Sequence, residues 1–79
     1  MIVTIIELQE TDGAVAIIAN EQRTVINNAT AMDALSLFHT KCALAAISSC
    51  DRHTIRLVDE TGEVWNGCKA TFTHANIEE

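Results

Sequence analysis

The chain predicts an α+β domain, an antiparallel sheet of about five strands in the order β-β-β-α-β-β with one helix packed on one face. Three observations carry this. Short β-branched runs bounded by turn residues occur in both halves of the sequence. One Ala/Leu-rich stretch with helical apolar periodicity separates them. A length of 79 residues, with no proline and only three glycines, accommodates one domain, residues 1–79, and neither a linker nor a disordered segment of any size.

The first strand is expected from Ile2 to Leu8, where β-branched and apolar residues dominate. Glu10 to Gly13 is a turn, because Asp12-Gly13 is a strong hairpin dipeptide. A short strand follows from Ala14 to Ala19, and another from Arg23 to Asn27. A turn over Asn20, Glu21 and Gln22 is preferred to one long bent strand, since three consecutive polar residues would otherwise sit inside a sheet.

Thr30 and Asp33 have the spacing of a capping box, with Thr30 as N-cap. The helix then runs from Ala31 to about Ser49 without glycine or proline. At 100° per residue, Ala31, Ala34, Leu35, Phe38, Cys42, Ala45, Ala46 and Ser49 form the core face. Leu37 and Leu44 fall on the outward side, beside Lys41, and are a candidate apolar contact patch for a partner or a weak homodimer.

His53 to Asp59 reads as a strand, and the reversal that follows is placed at Glu60 to Gly62. The last strand is expected from about Glu63 to Thr73, with a bulge at Gly67. Strict alternation would bury Asn66. The bulge instead lets Trp65 share a side with Cys68, Ala70 and Phe72, as a packed residue near the sheet's edge. Residues 74–79 are polar and expected to fray. The aromatic residues are Phe38, Phe72 and Trp65, so the core is built from Ile, Val, Leu and Ala.

Charge narrows the classes of partner. Eleven acids against five bases give a net charge of −6. Direct nucleic-acid binding and anionic membrane surfaces are disfavoured, because both draw on Lys and Arg. A basic protein surface suits this balance better. The N-terminal residues lack a basic region before their apolar run, and Glu7 interrupts that run, so neither a signal peptide nor a membrane span is expected. Three cysteines without framework spacing suggest reduced thiols and a cytoplasmic location.

No motif carries catalysis, a cofactor or a metal. Cys50, His53, Cys68 and His74 supply zinc-ligand chemistry, but Cys68 and His74 lie along one strand, about 20 Å apart if it is straight. Cys42 and His39 are one helical turn apart, yet Cys42 belongs to the core face, where a thiol is inert. The acids are more informative. Glu7, Glu10, Asp12, Asp59, Glu60 and Glu63 form one acidic rim if the first and last hairpins meet, and such a rim would steer association with a basic groove.

The strands IVTIIELQ, AVAIIA and RTVIN, the helix TAMDALSLFHTKCALAAISS and the hairpin HTIRLVDETGEVWNGC give an order of elements that resembles small phage-encoded anti-CRISPR proteins acting on type I systems. The resemblance spans most of the chain and carries no shared motif. It implies a non-enzymatic inhibitor in the host bacterial cytoplasm. The inhibitor would bind the backbone or large subunit of the multisubunit Cascade complex and keep target DNA out. LVDETGEVWNGCKATF also looks like the strand–turn–strand ends of small phage tail and head–tail connector proteins, which implies assembly with copies of itself or with other virion proteins.

Overall fold

The computed structural model describes residues 1–48 and 50–73. Its elements are β1 (Val3–Asp12), β2 (Ile17–Ile26), α1 (Ala31–Ala46), β3 (Arg52–Val58) and β4 (Val64–Thr73). The strands form one sheet in the order β2-β1-β3-β4, with every neighbouring pair antiparallel. This is the expected α+β fold, with four strands instead of five.

The difference lies in β2. β1 runs on to Asp12, so Glu10, Thr11 and Asp12 belong to the strand and not to the turn expected over Glu10 to Gly13; the reversal falls at Gly13 to Ala16 instead. The Gly13 N–H donates to the Ala16 carbonyl at 2.9 Å, and a Cβ on Gly13 would approach that oxygen to 2.6 Å. From Ile17 the strand continues without a second turn to Ile26. Asn20, Glu21 and Gln22 pair with Gln9, Leu8 and Glu7. They are tolerated because β2 is an edge strand and all three are exposed, so none of the three is buried.

Alternation explains the core. Val3 and Ile5 on β1, Ile55 and Leu57 on β3, and Cys68 on β4 join Ala34, Phe38 and Ala45 of the helix in one buried cluster. Val3, Ile5, Ile55 and Leu57 are essentially inaccessible to solvent. Burying each stabilises the fold by about 1.5–3 kcal/mol. The helix starts as expected: Asp33 N–H donates to Thr30 Oγ1 at 3.1 Å, and Thr30 N–H donates to Asp33 Oδ2 at 3.3 Å. It ends at Ala46, earlier than anticipated; Ser49 lies outside the described residues. The buried arc is also rotated. Ala31 and Ala46 are exposed, while Leu37 packs at the margin of the core and Lys41 is half-buried.

The second hairpin reverses at Asp59 to Glu63, as expected. Gly62 N–H donates to the Asp59 carbonyl at 3.0 Å, and Gly62 has φ 89°. The irregularity in β4 is larger than a one-residue bulge. Two steps on β3, from Arg56 to Val58, are matched by five on β4, from Lys69 to Val64. Asn66 and Gly67 take up the excess with left-handed φ of 54° and 68°. Trp65 is thereby half-buried and packed against the core, together with Ala70 and Phe72. The tail expected to fray, residues 74–79, lies outside the described residues.

Candidate functional site

The strand order separates the acids that a single rim would have joined. Glu10 pairs with Arg52 at one end of the sheet, whereas Thr4 pairs with Val58 at the other. Glu10 and Asp12 therefore stand about 20 Å along the strand from the Asp59–Glu63 turn. No common acidic rim forms.

Each acid has its own setting. Both carboxylate oxygens of Glu10 accept from Arg52, at 2.8 and 3.1 Å, and this contact lowers the Glu10 pKa. Asp12 is exposed, and its N–H donates to Asp51 Oδ2 at 2.6 Å. Asp59 closes its own turn: Oδ1 accepts from Thr61 Oγ1 at 2.6 Å, Thr61 N–H at 2.9 Å and Glu63 N–H at 3.2 Å. These bonds, the hydroxyl's first, lower its pKa. Glu60 and Glu63 are exposed at the tip.

Glu7 is the clearest correction. Its odd position on β1 points it under the helix, where it is 6% exposed. Lys41 Nζ lies 3.1 Å from one carboxylate oxygen and His53 Nε2 lies 3.3 Å from the other. Glu7 is thus an internal clamp between helix and sheet rather than a surface acid. The clue in the sequence is Lys41, which lies three residues after Phe38 and four before Ala45, both buried. A lysine inside an apolar arc calls for an anion opposite.

The Leu37/Leu44 patch does not form either. Leu44 is exposed, but Leu37 packs against the core because the buried arc extends to its side. Cys42 and Cys68 are free thiols whose pKa values burial pushes up, and His39 is exposed, edge-on to Phe38. Cys50 is buried, with its Sγ 3.1 Å from Ser48 Oγ. Among the described residues, no three His, Cys, Asp or Glu side chains converge as a metal site; His74 lies outside them.

The surface that parity in the strands does assemble is the sheet face opposite the helix. Four of the five basic residues stand there: Arg23 on β2, Arg52 and Arg56 on β3, and Lys69 on β4. Arg23, Ile6, Arg56 and Lys69 make one transverse row across all four strands. At ordinary strand spacing the row spans about 14 Å. Ile6 is buried although no described element covers it, with Arg23 and Arg56 as its cross-strand neighbours. Their aliphatic stems account for the burial. Arg23 is paired with Glu21 at 2.7 Å, whereas Arg56 and Lys69 make no ion pair among the described residues. Leu8, Glu21 and Thr54 continue the depression beside Ile6 and Arg56. Reading the sequence for net charge alone conceals this face; alternation of Arg52 and Arg56 with the buried His53, Ile55 and Leu57 is the signal that finds it.

No protein-family model, curated protein or solved structure matches this chain. Among the described residues, no helix is long and apolar enough to cross a membrane.

Proposed function

We infer that this chain is a non-enzymatic protein-binding module of the inhibitor type, docking through the open face of its sheet. The observation that supports this reading is the row Arg23–Ile6–Arg56–Lys69, two of whose cations lack an ion-pair partner among the described residues. A partner with an acidic or polar strip would complement the row. Asp12 at one end of the sheet and Glu60 and Glu63 at the other would meet basic flanks of the same partner. The face offers no aromatic side chain for base stacking, since Phe38, Phe72 and Trp65 all pack on the core side, and this favours protein over single-stranded nucleic acid.

In its specific form the partner is the type I Cascade complex in the host cytoplasm, a choice that rests on the sequence resemblance alone, two of whose five strands the structure joins into β2. The test is capture of purified Cascade and competition with its target DNA, using two double variants. Loss of capture in Arg56→Glu with Lys69→Glu supports docking by the open face. Loss only in Glu60→Lys with Glu63→Lys moves the contact to the hairpin tip. No capture by the wild-type chain removes Cascade as the partner. The second reading, a phage tail or head–tail assembly module, keeps the non-enzymatic class and makes copies of the chain the partner. The long exposed edge of β2 favours it.

A further inference from the structure

The two edges of the sheet are protected unequally. Edge strands carry unpaired N–H and C=O groups, and proteins blunt them with bulges, lysines, prolines or short length. The β4 edge has the Asn66-Gly67 irregularity and Lys69. The β2 edge has none of these: it runs ten residues in unbroken register with β1, without proline or lysine. Ile17, Ile18 and Val25 on it are more than half exposed. Its two charges, Glu21 and Arg23, are spent on each other at 2.7 Å. The helix lies over β3 and β4 and leaves this edge clear.

The order of residues on β2 names an occupant. Read outward from Gln22 in both directions, Glu21 mirrors Arg23, Asn20 mirrors Thr24, Ala19 mirrors Val25 and Ile18 mirrors Ile26. The geometry points to a second copy of this chain, paired antiparallel along β2 with Gln22 on the two-fold axis. Glu21 then faces Arg23 of the second copy twice over, Ile18 faces Ile26, and polar residues face polar ones. A shift of two residues, the smallest the pleat allows, sets Glu21 against Glu21 or Arg23 against Arg23, and like charges directly opposite are destabilising. The sequence therefore selects one register. The product is a closed, isologous dimer with an eight-stranded continuous sheet and both helices on one side. This holds whichever partner takes the open face.

The test is sedimentation or light scattering across a concentration series, with circular dichroism to confirm that each variant is folded. Wild-type protein is expected to dimerise. Glu21→Lys and Arg23→Glu each place like charges opposite and should each raise the dissociation constant about tenfold. Mixed together, the two variants are complementary, with Lys against Glu and Arg against Glu, and should form a heterodimer tighter than either homodimer. Three results would each overturn the proposal: a wild-type chain still monomeric at millimolar concentration, a wild-type dimer indifferent to both reversals, or a mixture no tighter than its components.

Discussion

Glu7 Oε1 lies 3.3 Å from His53 Nε2, and both side chains are buried between the helix and the sheet. With Lys41 on the other oxygen, one carboxylate joins β1, β3 and α1. Removing it strands two polar partners in a region that solvent barely reaches. Glu7→Ala should therefore cost about 2–4 kcal/mol, toward the low end of the usual range for a broken buried pair because Lys41 keeps some solvent. Glu7→Gln retains hydrogen-bonding capacity and should cost less. Urea unfolding measures both, and a loss of only a few tenths from Glu7→Ala would show that the clamp is not holding the helix down.

Two half-buried carboxylates outside the core make a separate prediction about pH. Glu10, through Arg52, and Asp59, through Thr61 and the turn N–H groups, are held below their ordinary pKa values in the folded chain. A depressed folded pKa adds stability that is present above the unfolded value and is lost as pH falls through the folded one. Stability from these two sites should thus be constant near neutrality and decline below about pH 4. Asp59→Ala and Glu10→Gln should each lower stability at neutral pH and flatten the acid limb of the profile. An unchanged acid limb in both variants would place the acid sensitivity elsewhere.

Thiol reactivity follows from packing. Burial pushes the Cys42 and Cys68 thiols up, and Cys68 is 7% exposed. Native protein at neutral pH should label slowly at Cys68 with an alkylating reagent, and rapidly once urea unfolds it. Mass spectrometry of the labelled peptide reads this directly. Labelling of native Cys68 at the rate of the unfolded chain would mean that the β4 side of the core opens readily.

How far each of these features is legible in the sequence depends on whether its signal is local. Thr30 and Asp33 announce the helix start because a capping box is decided within four residues. Asp59 to Gly62 announce the second turn for the same reason, whereas Asp12-Gly13 locates the first only to within a few residues, because pairing with β2 carries β1 on through Asp12. Asn20 to Gln22 mislead because a polar triplet means a turn in a central strand but is harmless on an edge, and edge status is a property of strand order. The acidic rim fails on that point too: β1 pairs with both β2 and β3, which sends the two hairpin tips to opposite ends. Glu7 is misplaced because its partners Lys41 and His53 are distant in sequence, and only the packed helix brings them together.

The left-handed pair at Asn66 and Gly67 is testable on its own, because a Cβ at Gly67 would meet nothing within 4 Å. Any cost of Gly67→Ala is therefore a backbone cost, since φ 68° is unfavourable for an L-residue with a side chain. The expected loss is about 1–2 kcal/mol. Gly67→Val should cost more, because branching at Cβ disfavours positive φ further. Asn66→Gly, by contrast, should change stability little, since asparagine already tolerates this conformation. Trp65, the sole tryptophan and the neighbour of Asn66, reports the local consequence through its fluorescence. The emission should shift to the red in Gly67→Val if the strand must re-register and expose the indole. If Gly67→Ala and Gly67→Val unfold at the wild-type urea midpoint with unchanged emission, the positive φ is not what holds Trp65 on the core side.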